Sequence, residues 1–130
     1  MVQPQRTALV VEDSPLFRRE LGDLLQQMGF TRITEAANGS AAKKLLADAK
    51  PDLVCLDLTL PDTSGFDVCE HIRASPALRD VPVLMISART QTMDRAQAEE
   101  AGASGYIIKP FTAEEFHHQV ERVLSTRREA

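Results

Sequence analysis

Leu53-Val54-Cys55-Leu56 is an unbroken run of four apolar residues that ends on the carboxylate of Asp57, with Pro61 close behind. A run of this kind suits a strand covered on both faces, as in a parallel sheet packed between helices. An acid at the end of such a strand stands at the rim of the core, and in open α/β sheets ligands bind at that carboxyl edge. Asp57 alone could simply cap a turn. Two further runs of the same type change that reading, because they too stop on polar, chemically useful residues.

Thr7 to Val11 is the first of these runs and stops at Glu12-Asp13. Ser14-Pro15 then opens a helix, with serine as cap and proline at the first helical position. Phe17, Leu21, Leu24, Leu25 and Met28 recur at helical spacing, and Gly29 ends the segment. Thr31 to Ala36 predicts a second, less apolar strand nearer an edge. Asn38-Gly39 marks a turn, and Ser40 begins a helix with Ala42, Leu45, Leu46 and Ala49 inward. After Asp57, Ser64 can cap a third helix with Phe66, Cys69 and Ile72 as its inner stripe. Val81 to Ile86 predicts a fourth strand, ending in Ser87-Ala88-Arg89. A fourth helix over about 92 to 101 has a thin stripe of Met93, Ala96 and Ala101, and Gly102 stops it. Tyr106-Ile107-Ile108 is a short fifth strand ending in Lys109-Pro110. Thr112 and Glu115 form a capping box for the last helix, and Phe111 can staple onto Phe116. In that helix Phe116, Val120, Val123 and Leu124 face the core.

Five strands alternating with five helices through short connections predict a three-layer α/β/α sandwich around a parallel sheet. Right-handed crossovers leave the flavodoxin-like strand order 2-1-3-4-5 as the natural fit, with a switch point between the first and third strands. Glu12, Asp13 and Asp57 then share one crevice, and Ser87 and Lys109 reach the same rim. At 130 residues, a net charge of −4 and 43% hydrophobic residues, the chain suits one domain over 1–130, with its core about 6–125 and a charged tail at 125–130. Mild acidity argues against nucleic acid as a direct partner. No apolar run approaches the roughly 20 residues a membrane helix needs, and residues 1–6 lack a signal-peptide core, so a cytoplasmic location is expected. Cys55 and Cys69 fit no metal spacing and read as buried small hydrophobes. His71, His117 and His118 lie on helices away from the rim and are expected in solvent.

Three crowded carboxylates repel: two unit charges about 4 Å apart interact by about 4 kcal/mol at an effective dielectric near 20. A hard divalent cation relieves this, and Mg2+ suits a few carboxylates together with phosphate oxygens. With Lys109 opposite, an ionised Asp57 is arranged to attack phosphorus and form an aspartyl-phosphate. Singly, each residue has an ordinary explanation as a strand end, a turn hydroxyl or a surface lysine. The set, in order, does not.

Over essentially its whole length the sequence resembles a response-regulator receiver domain, of the chemotaxis-regulator type found in two-component signalling. The match rests on Glu12-Asp13, Asp57 followed by Leu60-Pro61 and Gly65, Ser87-Ala88, and Lys109-Pro110. The resemblance implies phosphorylation of Asp57 by a sensor histidine kinase or phosphotransfer protein. It implies Mg2+ held by Asp13, Asp57 and the Thr59 main-chain carbonyl, with Glu12 acting through a bound water. It also implies that Ser87 and Lys109 hold the phosphoryl group, that Tyr106 is the rotating aromatic of the switch, and that the Lys109-Pro110 bond is cis. Thr59 and Arg89 occupy positions that tune dephosphorylation. Glu12 stands where many members have Asp, and Ser87 where many have Thr. The readout surface would be the fourth helix, fifth strand and fifth helix, carrying Arg95, Glu99, Glu100, Glu114, Glu121 and Arg122 and serving a downstream protein or a homodimer. Such a module catalyses its own phosphorylation and slow dephosphorylation but is no turnover enzyme. Two competing readings use the same strand-end chemistry. A haloacid-dehalogenase-like phosphatase needs a second acid two positions after the nucleophile, where Thr59 stands. A flavin-binding flavodoxin-like module needs a phosphate cradle after the first strand, where Glu12-Asp13 would repel the phosphate.

Overall fold

The computed structural model describes residues 6–88 and 92–126. Its elements run β1 (Arg6–Val11), α1 (Pro15–Gln27), β2 (Phe30–Ala36), α2 (Gly39–Asp48), β3 (Leu53–Asp57), α3 (Gly65–Ala74), β4 (Val83–Ser87), α4 (Thr92–Ala101), β5 (Gly105–Ile108) and α5 (Ala113–Ser125). All strand pairs are parallel, in the order β2-β1-β3-β4-β5, the flavodoxin-like arrangement expected from the alternation. Arg89, the side chain of Met93 and the tail beyond Thr126 lie outside the described residues.

Alternate residues of each central strand serve opposite faces of the sheet, and two cores follow. Leu9, Val11, Val54, Leu56, Val83 and Met85 pack under α2, α3 and α4, against Ala42, Leu46, Val68, Ile72, Ala98 and Ala101. Ala8, Val10, Leu53, Cys55, Leu84 and Ile86 pack under α1 and α5, against Leu21, Leu25, Phe116, Val120 and Val123. Both cysteines are buried and free, and burial pushes the Cys55 thiol up to about 12 and that of Cys69 to about 11, so each is inert at neutral pH.

The helix starts follow local chemistry. The Ser14 hydroxyl accepts from the Phe17 N–H at 3.2 Å, Ser64 Oγ from Asp67 N–H at 3.2 Å, and Thr112 Oγ1 from Glu115 N–H at 3.0 Å, with Glu115 Oε1 accepting from Thr112 N–H at 2.8 Å. Each such cap stabilises its helix by about 1 kcal/mol. Gly29 (φ 91°) and Gly102 (φ 98°) stop α1 and α4 in the left-handed region.

Several expectations need correction. Asn38 caps α2, its side-chain oxygen accepting from Ala41 N–H at 2.8 Å, so that helix begins at Gly39 and not at Ser40. Ala42 and Leu46 are buried, but Leu45 is 36% exposed and Ala49 leaves the helix as an extended cap residue. Leu45 lines a cleft with Arg32 and Thr34 of the edge strand β2, which no further strand among the described residues covers. In α3, Val68 joins Cys69 and Ile72 as fully buried while Phe66 is only half-buried, because this helix lies between α2 and α4 and buries a wider face. In α4, Ala98 and Ala101 are buried and Ala96 is exposed. Val81 precedes β4, its carbonyl accepting from Arg73 at 2.7 Å. That guanidinium also donates to Gly102 O at 2.8 Å, Arg79 O at 3.0 Å and Ser104 Oγ at 3.2 Å, tying the end of α4 to α3. His117 is half-buried beside Phe116, its ring 6.4 Å from the phenyl ring, whereas His71 and His118 are exposed. No helix among the described residues is long and apolar enough to cross a membrane.

Candidate functional site

Strand register assembles the site. Val11 pairs with Leu56, so Glu12 and Asp57, each one residue further on, emerge side by side from the two central strands. Asp57 pairs with Ile86, which places Ser87 one step beyond on β4. Ser87 pairs with Ile108 and its carbonyl accepts from the Lys109 N–H at 2.8 Å, which brings Lys109 to the same rim. The Lys109-Pro110 peptide bond is cis.

Among the described residues, three polar or charged side chains are buried, and all three lie here: Glu12 at 2% exposure, Asp57 at 8% and Ser87 at 2%. Burying charge is costly unless it is paired, so their convergence marks the place where the fold tolerates an electrostatic penalty. Glu12, Asp13 and Asp57 each offer a carboxylate oxygen within 4.8 Å of the others, with Asp13 exposed at the mouth. The Lys109 ammonium lies 3.4 Å from Glu12 Oε1 and 3.6 Å from Asp57 Oδ2. Asp57 Oδ1 accepts from the Thr59 N–H at 3.0 Å, which orients the carboxylate. Glu12 Oε2 accepts from the Ser14 N–H at 3.0 Å, while the Glu12 carbonyl accepts from Arg18 at 2.7 Å.

These contacts do not fully compensate Glu12. Burial, and then the adjoining Asp57 carboxyl, raise its pKa above the ordinary carboxylate value of 4.5; the Ser14 N–H and Lys109 act the other way and lose. The folded state therefore holds this proton to higher pH than the unfolded chain does. The associated stability is fully present below the unfolded pKa and is lost as pH rises through the folded one. Glu12→Gln is accordingly expected to raise Tm by a few degrees at neutral pH in chelator. The gain should shrink toward zero as pH falls to about the unfolded pKa. Thermal melts at a series of pH values check this, and a constant difference at all pH would contradict it.

The β3–α3 loop is held from below. Gly65 N–H donates to Leu58 O at 2.7 Å, and a Cβ on Gly65 would sit 2.5 Å from Asp57 O, 2.9 Å from Leu58 Cα and 3.0 Å from Met85 Sδ. The Asp62 carboxylate accepts from the Gly39 and Ser40 N–H groups at 2.8 and 3.0 Å, bonds that hold its pKa below the usual value. A Cβ on Gly39 would strike Thr63, so the same loop rests directly on the start of α2. Sequence reasoning passed over Asp62, since a cap acting across 23 residues leaves no local spacing to read. Tyr106 is half-buried on β5, packed against the larger core, with the Arg95 guanidinium 5.3 Å from its ring centroid.

Residues 8–121 match the family model described as the response regulator receiver domain. This chain is a response-regulator receiver domain. The receiver is 34% identical over 116 residues to the chemotaxis protein CheY of Pseudomonas aeruginosa, covering 89% of this chain and 94% of that protein. It is 36% identical over 116 residues to CheY-3 of Vibrio cholerae, covering 89% of each. It is also 37% identical to the phosphate regulon transcriptional regulatory protein PhoB of Escherichia coli, covering 92% of this chain but 52% of that longer protein. Among solved structures, a putative response regulator from Chloroflexus aurantiacus superposes with a TM-score of 0.88 at 29% identity, covering 94% of this chain and 99% of that one. The signal receiver domain of a signal transduction histidine kinase from Syntrophus aciditrophicus gives 0.85 at 29% identity, covering 96% and 94%. The receiver is thus a two-component signalling module.

Proposed function

We propose that Asp57 is the phosphoacceptor of this receiver. The observation that carries the reading is the convergence of the buried Glu12, Asp57 and Ser87 with the Lys109 ammonium at one sheet edge. The donor is a phosphohistidine on a sensor histidine kinase or phosphotransfer protein. A carboxylate oxygen of Asp57 forms the new P–O bond as the P–N bond of the donor breaks, and the bonding electron pair leaves with the imidazole nitrogen. Lys109 neutralises charge on the transferred oxygens, and the Ser87 hydroxyl donates to one of them.

The acidic cluster suits a hard cation: its donors are all oxygen, they are close enough to share one ion, and burial, together with the neighbouring Asp57, raises the Glu12 pKa, so the ionised carboxylate there is under-compensated. Asp13, Asp57 and the Thr59 carbonyl would hold Mg2+, with Glu12 engaging through water. When bound, the ion supplies further positive charge beside the phosphoryl oxygens. Thr59, exposed beside the carboxylate, tunes the lifetime of the acyl phosphate together with Arg89. The module hydrolyses its own acyl phosphate slowly and is not a turnover enzyme. It works in the cytoplasm.

The phosphorylated state is read out through Ser87, Tyr106 and the α4–β5–α5 face, to a downstream protein or a second copy of the chain. Only a contact that differs between two conformations shifts their populations, and the Ser87 and Lys109 bonds to the phosphoryl group are such contacts. Incubation with acetyl phosphate and Mg2+ is expected to add the mass of one phosphoryl group to the intact protein, and chelator to prevent it. No mass gain under these conditions would overturn the reading.

A further inference from the structure

Lys109 has a third neighbour besides the two carboxylates. Its ammonium lies 4.2 Å from the centroid of the Phe17 ring, well inside the roughly 6 Å over which an aromatic face attracts a cation. Phe17 occupies the first turn of α1, and its own N–H is the group bonded to the capping Ser14 hydroxyl at 3.2 Å. The ring is buttressed in turn. Phe111 meets it edge-on at 6.0 Å and 61°, and Phe111 stacks on the fully buried Phe116 at 5.5 Å and 18°. The surface under the ammonium is therefore anchored to the helix cap on one side and to the α5 core on the other.

We propose that Phe17 is a positioning residue that seats the Lys109 ammonium beside Asp57. This rests on the role given to Lys109 above. A lysine has a flexible four-carbon stem and considerable rotamer freedom to lose. Its attraction to Glu12 and Asp57 weakens when another cation draws on the same oxygens, because the two positive charges compete and repel. The ring is uncharged and offers a divalent metal no oxygen ligand. The contact with Phe17 thus persists when the ion pairs are loosened, and keeps the ammonium poised where phosphoryl oxygens arrive. In sequence terms, Phe17 is one member of a core stripe. Its second role depends on a residue 92 positions away, which no helical periodicity reports.

The test compares Phe17→Leu, which keeps an apolar but smaller side chain and removes the ring, with Phe17→Tyr, which keeps the aromatic face. Two readouts are taken. The first is the proton chemical shift of the Lys109 ε-methylene, with and without Mg2+. Wild type and the Tyr variant should show the upfield displacement of protons over a ring, retained in Mg2+, and the Leu variant should lose it. The second is the rate of mass gain from acetyl phosphate at saturating Mg2+. The Leu variant should react about threefold to tenfold more slowly, as expected for a partly buried cation–aromatic contact, while the Tyr variant stays within about twofold of wild type. A Leu variant with wild-type rate would overturn the proposal, as would equal losses in both variants, which would assign the effect to packing. If wild type itself takes up no phosphoryl group, the proposed function fails. The chemical shifts still decide the seat: an unchanged ε-methylene shift in Phe17→Leu refutes it.

Discussion

Asp57→Asn is expected to abolish phosphoryl uptake from acetyl phosphate while leaving the fold intact. The amide has nearly the same shape and still accepts from the Thr59 N–H that orients the native carboxylate at 3.0 Å, but it lacks the charge and the nucleophilic oxygen. Because the site concentrates like charges that are 2% and 8% exposed at Glu12 and Asp57, removing one should also raise Tm in chelator. Repulsion between two such charges is on the order of 4 kcal/mol at 4 Å and an effective dielectric near 20. The lost attraction of Lys109 for Asp57 at 3.6 Å offsets part of this. Intact mass after incubation with donor and Mg2+ checks the first effect, and a thermal melt in chelator the second. Mass gain on the Asn variant would show that another side chain accepts the phosphoryl group.

The second large effect is expected at Gly65. A Cβ there falls 2.5 Å from the Asp57 carbonyl oxygen and 2.9 Å from Leu58 Cα, and these are backbone atoms that cannot rotate away. Gly65→Ala must push α3 off β3 or distort the loop that carries the phosphoacceptor. A cost of about 3 kcal/mol is expected, the upper range for overpacking, or a Tm lower by about 10 °C. Phosphoryl uptake should slow even at temperatures where the variant is fully folded, because Asp57 shares the displaced backbone. Gly22 supplies the contrast. It lies inside α1 with nothing within 4 Å of a built Cβ, so Gly22→Ala should stabilise by about 0.5 to 1 kcal/mol and leave uptake unchanged. Equal melting temperatures for the two variants would contradict the close approach at Gly65.

Much of the architecture was legible without coordinates. Continuous apolar runs stopping on Glu12-Asp13, Asp57 and Ser87 mark strands buried on both faces, the shorter run before Lys109 marks the half-buried edge strand β5, and alternation with capped helices leaves few topologies. Ser14, Ser64 and the Thr112–Glu115 box act within three residues of themselves, so a linear reading captures them. Side chains whose fate depends on what lies beyond their own element were less legible. Leu45 has the right spacing for the core but overhangs an edge strand. Val68 is fully buried because α3 has a helix on either side. His117 is partly covered by its neighbourhood rather than by its polarity.

The same division runs through the site. The order and chemical type of the strand-end residues are properties of the chain itself, since period-two burial and parallel pairing dictate that residues just past the apolar runs share one edge. The distances that make these groups a unit are not. Lys109 within 3.6 Å of Asp57, the Phe17 ring under its ammonium and the Asp62 cap on α2 all join residues between 23 and 92 positions apart. Contacts of that separation are set by packing of whole elements against the sheet, and no local propensity encodes them.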